Sequence, residues 1–357
     1  MADGTAMTHE ELLQCLGELA RKALKRYPLP PDATASLINV SENATYRIDD
    51  PTTGKKWALR VHRAGYHSRT GVASELAWQA SLKATNTIVT PSALRGLDGE
   101  LIQSVGHEGL PEARNVVLFD WEAGAEPADN DVGGFELLGE TAARMHQHVL
   151  KWQRPPWFER HSWDFETSLG ATPHWGHWQD GMGMTDAALQ ALGETAQLIE
   201  KRLAAFGKAS SRFNLVHGDM RLANLLMDGR TVKVIDFDDC GFSWFLYDCA
   251  TTVSFFEHEP RVPELIEAWV RGYKRAAELA PEDQAEIETF VMLRRLLLVA
   301  WIGSHSETDL AQSMGVAYTA STIPLCERYL SRFGEAKAVS FASAPVSHLR
   351  RFWKRLP

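Results

Sequence analysis

Between Leu215 and Asp239 the chain reads Leu-Val-His-Gly-Asp-Met-Arg-Leu-Ala-Asn-Leu-Leu-Met-Asp-Gly-Arg-Thr-Val-Lys-Val-Ile-Asp-Phe-Asp-Asp. Asp219, Asn224 and Asp236 set a carboxylate, an amide and a second carboxylate where phosphoryl transfer wants hard oxygen groups. That chemistry must hold a hydroxyl in line, keep Mg²⁺ on the nucleotide phosphates, and neutralise charge on the moving group. Asp219 would accept the hydroxyl proton or orient the hydroxyl. Asn224 and Asp236 are oxygen ligands of the kind Mg²⁺ prefers, and the three side chains can share one ion. Arg221 could face the γ-phosphate. Asp238 and Asp239 crowd Asp236, and such carboxylates repel unless a cation or hydrogen bonds offset them. Asp238 and Asp239 are therefore candidate further metal ligands, with Asp239 equally readable as a turn residue before Gly241.

A hairpin must position these groups. Leu215-Val216, Leu225–Met227 and Val232–Ile235 are apolar runs, and Asp228-Gly229 between the last two tolerates a tight turn. The hairpin would bring Asp219 and Asn224, ahead of its first strand, close to Asp236 at the end of its second.

His217-Gly218-Asp219-x-x-x-x-Asn224, followed by Ile235-Asp236-Phe237-Asp238, resembles the aminoglycoside phosphotransferase family. That family also includes choline kinases, type II homoserine kinases and a bacterial stress-response kinase, and it shares the protein-kinase fold. The resemblance implies ATP and Mg²⁺, with Asp219 as the catalytic aspartate, Asn224 as the second metal ligand and Asp236 as the counterpart of the Asp-Phe-Gly aspartate. It also implies that Asp248, in Tyr247-Asp248-Cys249-Ala250, braces the catalytic loop. A kinase further needs a basic residue on its third strand and an acidic partner on the next helix. Trp57-Ala58-Leu59-Arg60 fits the Val-Ala-Ile-Lys pattern, and Glu75 falls at a distance suited to pairing with Arg60. Arginine in place of lysine is a departure, because the two are not interchangeable at phosphate. Ser41-Glu42-Asn43-Ala44-Thr45-Tyr46 stands where the nucleotide-covering loop belongs, without glycines. There the resemblance has backbone N–H groups and the Ser41 or Asn43 side chain meet phosphate. The Val116–Glu122 run would enter a hinge whose backbone, around Asp120, Trp121 and Glu122, meets adenine.

The fold class expected is α+β: a two-lobed, protein-kinase-like fold with a β-rich N-lobe over 1–119 and a larger, mainly helical C-lobe over 120–357. At 357 residues the chain favours two cores over one. Thr8–Arg26 has one apolar face and a Thr8/Glu11 capping box. Strand-like runs follow near 36–40, 44–48 and 56–61, with a helix over about 72–84. Helical spacing then covers Phe135–Val149, Asp186–Phe206, Pro263–Ala280, Glu282–Trp301 and Leu310–Phe333.

A net charge of −9 argues against nonspecific nucleic-acid binding and suits a cationic substrate. Phe290–Gly303, the longest apolar candidate for a membrane span, is interrupted by Arg294-Arg295. With no basic-then-apolar leader at its start, the chain is expected in the cytoplasm. Four cysteines without a Cys-x-x-Cys pair read as free thiols. Five histidines from His146 to His177 match no structural zinc spacing, and Arg144-Met145-His146 resembles a family helix end with a packing role. The basic run Arg350-Arg351-Phe352-Trp353-Lys354-Arg355 reads as a solvated helix. Trp152, Trp157, Trp163, Trp175 and Trp178 either pack the C-lobe or offer faces to an ammonium group, with Asp164, Glu166, Asp180 and Glu257 as counter-charges. The function expected is an ATP-dependent kinase for a hydroxyl of a small, amine-bearing molecule. The alternatives are a stress-type protein Ser/Thr kinase and a non-catalytic nucleotide-binding pseudokinase. Oligomeric state does not follow from the sequence.

Overall fold

The computed structural model describes residues 7–40 and 43–334. Ser41, Glu42 and the basic run 350–355 lie outside the described residues. The chain divides into two units: one takes the chain up to Ser81 with Thr90–Ala123 and Pro155–Glu159, the other takes Leu82–Val89, Gly124–Arg154 and the chain from Arg160 onward.

The first unit opens with α1 (His9–Leu24), which starts at the expected capping box. Thr8 Oγ1 accepts from the Glu11 N–H at 3.2 Å, and the Thr8 N–H donates to the Glu11 carboxylate at 2.8 Å. Next come β1 (Thr34–Val40), β2 (Ala44–Asp49), β3 (Lys56–Val61), α2 (Arg69–Ala84), β4 (Ala93–Leu94), β5 (Gln103–Val105) and β6 (Arg114–Asp120). The sheet runs β1-β2-β3-β6-β4, with β5 also on β6, and every pair is antiparallel. Period-two alternation sorts its two faces. Leu59, Val61, Val116 and Leu118 pack with Leu16, Leu19 and Ala23 of α1. Ala58, Val117 and Phe119 pack with Val72 and Leu76 of α2. Arg60 shares the parity of Ala58, so its side chain comes out on the α2 face.

The second unit carries α3 (Val132–Val149), α4 (Phe165–Ser168), α5 (Asp186–Phe206), β7 (Phe213–Val216), β8 (Leu225–Asp228), β9 (Thr231–Val234), β10 (Gly241–Trp244), α6 (Phe245–Thr251), α7 (Val262–Ala276), α8 (Pro281–Ala285), α9 (Ile287–Ser304) and α10 (Asp309–Phe333). β8 and β9 form the expected hairpin, but Asp228 pairs with Thr231, so the two loop residues are Gly229-Arg230, with Gly229 at φ +58°. The single helix expected over Glu282–Trp301 is two. Glu286 starts α9, its carboxylate accepting from Arg202 and from Thr289 Oγ1. In α9, 15 of 18 residues are buried, which makes it the apolar axis of the unit. Among the described residues no helix is long and apolar enough to cross a membrane.

Helices α3 and α7 meet through glycines on both partners. A Cβ on Gly139 would strike the Trp269 carbonyl oxygen, and one on Gly272 would strike the Glu136 carbonyl oxygen. Two backbones this close leave no room for a methyl. Gly139→Ala and Gly272→Ala should each cost about 1–3 kcal/mol through overpacking. Thermal unfolding measures it, and an unchanged midpoint would mean that the helices can part at no cost.

Candidate active site

β7 delivers the chain into His217, and α6 then holds the loop by its backbone. Asp248, fully buried, accepts from the His217 N–H at 3.1 Å and from the Gly218 N–H at 2.8 Å. Thr251 Oγ1 accepts from the Met220 N–H at 2.9 Å. His146 Nε2 lies 3.0 Å from Asp248 Oδ2, its ring stacked on Phe245 and its Nδ1 3.0 Å from the Tyr273 hydroxyl. Gly218 sits at φ +81°, and a Cβ there would lie 2.5 Å from the Asp239 carbonyl oxygen, so both the conformation and the space call for glycine.

This bracing fixes Asp219. Its Oδ1 accepts from Arg294 Nη2 at 2.5 Å, and its Oδ2 accepts from Asn224 Nδ2 at 2.7 Å and from Arg221 Nε at 3.1 Å. Burial disfavours charge on Asp219, but Arg221 and Arg294 outweigh it and hold the carboxyl below the usual range. Asn224, ending a short 3₁₀ turn, also donates to the Asp219 carbonyl oxygen at 2.9 Å. The Ile235 N–H donates to the Asn224 carbonyl at 3.0 Å, which brings Asp236 beside Asn224.

Asp236 adopts φ +59°, uncommon for a residue with a Cβ. Phe237 is buried, its ring 4.6 Å from that of His217. His217 Nε2 lies 3.1 Å from the Ile235 carbonyl oxygen, and the Asp219 N–H lies 3.3 Å from Nδ1. Asp238 is buried, and its N–H lies 3.4 Å from Asp236 Oδ1. Arg160 donates to the carbonyls of Asp238 and Cys240, and Trp163 Nε1 donates to that of Asp239 at 2.7 Å.

Asp219, Arg221, Asn224, Asp236 and Asp238 are thus gathered in one unit. Of the other expected residues, Arg60 and Glu75 form a buried ion pair, with the Arg60 guanidinium 5.1 Å from the Phe119 ring. Asn43 is buried and accepts from the Arg63 N–H at 2.9 Å. The Asp120 N–H goes to the Ser92 carbonyl at 2.9 Å, and Trp121 and Glu122 follow the end of β6.

Two residues escaped the sequence reading. Arg160 follows no motif. Arg294 did leave a signal, since a cation buried in a largely apolar helix requires an anion nearby. Glu257, a candidate counter-charge for an ammonium group, pairs with Arg295 at 2.7 Å and accepts from the Tyr318 hydroxyl at 3.0 Å. Trp163, Trp175 and Trp178 are buried, and the Trp175 ring lies 5.2 Å from the Arg294 guanidinium.

The donor set suits a divalent cation shared with phosphate. Asn224 Nδ2 donates twice to Asp219, and the Asn224 side-chain oxygen and the Asp236 carboxylate are the hard oxygen groups that could hold a cation. Among the described residues no three His, Cys, Asp or Glu side chains could hold a metal by themselves. Two protein oxygens completed by phosphates is the arrangement Mg²⁺ commonly takes.

Residues 35–286 match the model of APH, the phosphotransferase enzyme family. The chain belongs to that family. A family relative, the amicoumacin kinase of Bacillus subtilis (strain 168), is 24% identical over 314 residues, covering 85% of this chain and 87% of its own. The structure of the microcompartment-associated aminopropanol kinase is similar with a TM-score of 0.82 and 41% identity, covering 89% of this chain and 99% of that one. An amicoumacin kinase in complex with AMP-PNP, Ca²⁺ and Ami is similar with a TM-score of 0.72 and 19% identity, over 91% and 96% of the two chains. The fold is the α+β, protein-kinase-like fold of the family, and the chain is an ATP-dependent phosphotransferase acting on a hydroxyl group of a small molecule. The protein-kinase and pseudokinase alternatives are not favoured.

Asp248→Asn replaces an acceptor oxygen with a donor that faces N–H groups, at a cost of about 1–3 kcal/mol for each group left unsatisfied. The His217 and Gly218 amides should then exchange hydrogen faster than in the wild type. Unchanged protection at both would show that the loop holds without Asp248.

Proposed function

We propose that the chain transfers the γ-phosphoryl group of ATP, with Mg²⁺, to the hydroxyl of a small amino alcohol. The observation that carries this is the 41% identity with the aminopropanol kinase over nearly the whole of both chains, joined to a fixed carboxylate at Asp219. The AMP-PNP and Ca²⁺ of the amicoumacin kinase complex support a nucleoside triphosphate and a divalent ion, and the hard-oxygen pair supports Mg²⁺.

In this mechanism Asp219 accepts a hydrogen bond from the substrate hydroxyl and orients the oxygen at the γ-phosphorus. As the new O–P bond forms and the bond to the β,γ-bridging oxygen breaks, Asp219 takes the hydroxyl proton and ADP leaves. A carboxylate held low by two arginines is a weak base, so orientation outweighs proton abstraction until the hydroxyl has become acidic in the transition state. Asn224 and Asp236 would hold the metal, with Asp238 as a further ligand. When bound, the ion neutralises phosphate charge. Arg221, beside Asp219, adds positive charge where the transferring group gathers negative charge. In the first unit Arg60, kept in place by Glu75, would meet phosphate, as would the Ser41 or Asn43 side chain, Ser41 lying outside the described residues. The backbone around Asp120, Trp121 and Glu122 would meet adenine.

Turnover of ATP with aminopropanol, ethanolamine, choline, homoserine and an aminoglycoside tests the acceptor, and the amino alcohols should stimulate most. Equal silence across the panel would overturn the acceptor class. Asp219→Asn should lower kcat by about 10²–10⁴ with the fold retained, and unchanged turnover would remove Asp219 from the chemistry. Asp236→Asn should weaken Mg²⁺-ATP binding in calorimetry; undiminished affinity would deny it the metal.

A further inference from the structure

Adjacent arginines in the apolar helix α9 are spent on different tasks. Arg295 donates to Glu257 at 2.7 Å, Thr322 Oγ1 at 2.8 Å, Ser321 Oγ at 2.7 Å and the Tyr318 carbonyl at 3.0 Å. Those partners, from α10 and the segment after α6, tie helices together. Arg294 donates to Ser254 Oγ at 3.1 Å, to the Tyr247 hydroxyl at 3.2 Å and to Asp219 Oδ1 at 2.5 Å, with its guanidinium 5.2 Å from the Trp175 ring. Among the described residues Asp219 is the one anion that accepts a hydrogen bond from Arg294, with the charge of Asp239 also near the guanidinium.

A buried guanidinium in a helix core gives little net stability compared with an apolar side chain. Its geometry is what distinguishes it. Asp219 Oδ2 is held from within the loop, by Arg221 and Asn224, whereas Oδ1 is held from outside it, by a side chain on a rigid, buried helix. A carboxylate gripped at both oxygens cannot rotate about its Cβ–Cγ bond. The three groups around Arg294 fix the guanidinium in turn: Ser254 and Tyr247 set its plane, and Trp175 covers it.

We propose that Arg294 is a positioning residue for phosphoryl transfer, locking the orientation of the Asp219 carboxylate from the helix core. It rests on the role given to Asp219 above. Arg294 need not touch substrate, so its loss falls on kcat rather than on KM. A displacement of about 1 Å at a reacting group costs on the order of 10²-fold.

The test is a double-mutant cycle on the full chain, with kcat and KM measured for Arg294→Met, Asp219→Asn and the pair, on the best acceptor of the panel and on water as acceptor. Arg294→Met should lower kcat on the order of 10²-fold with KM for both substrates little changed, and should add almost nothing to Asp219→Asn. Arg294→Lys, which keeps a donor but loses the fork, should recover part of the rate; it also stands in if Arg294→Met does not fold. Effects that multiply in the double variant, or a loss confined to KM, would overturn the proposal. Stimulation by no amino alcohol, with the cycle still coupled in ATP hydrolysis, would overturn the acceptor class alone.

Discussion

Two buried carboxylates govern the catalytic unit. Asp219 and Asp248 lie in a protein interior where a charge without partners is costly, and each is made tolerable by donors from distant parts of the chain. Asp248 gathers the His217 and Gly218 backbone N–H groups and His146, so one side chain ties α6, α3 and the loop after β7. Asp219 gathers Arg221, Asn224 and Arg294, tying that same loop to α9. Each partner satisfies a charge and at the same moment specifies a position, and electrostatic preorganisation of this kind costs no rearrangement when the reaction occurs.

The loop after β9 follows a second rule, that backbone carbonyls near a ligand site need fixed donors if their side chains are to be held still. Arg160 and Trp163 take the carbonyls of Asp238, Asp239 and Cys240. Phe237 is buried against the His217 ring, and Asp236 just before it adopts an uncommon positive φ. Strain in one residue persists here because its neighbours are over-determined.

Substituting arginine for the usual lysine on β3 is accommodated by burial rather than by solvent. Arg60 pairs with Glu75 and spreads over Phe119, an arrangement that uses the flat face of a guanidinium and that an ammonium would not reproduce. The strand's parity puts Arg60 on the α2 face, so the pair follows from period-two alternation combined with a helix packed on that side.

Local rules were enough for the sequence to specify much of this protein. The Thr8/Glu11 capping box, the strand-like runs of β2 and β3, the β8–β9 hairpin and the spacing from Asp219 to Asn224 all depend on near neighbours, where geometry is set by covalent distance. Motif resemblance carried this further, to the Arg60/Glu75 pair and to the brace at Asp248. Local reading failed where long-range packing decided the outcome. Glu286, between α8 and α9, has its carboxylate held by Arg202 of another helix; Gly139 and Gly272 are required only because α3 and α7 cross there. Pro155–Glu159 belongs with the first unit because the Glu159 N–H reaches Ser74, and nothing in those five residues announces it. Arg294 comes to Asp219 from 75 residues away. A sequence states that a cation lies in an apolar helix, but which anion it meets is settled by tertiary packing, because the energy that selects the partner exists only once both are removed from water.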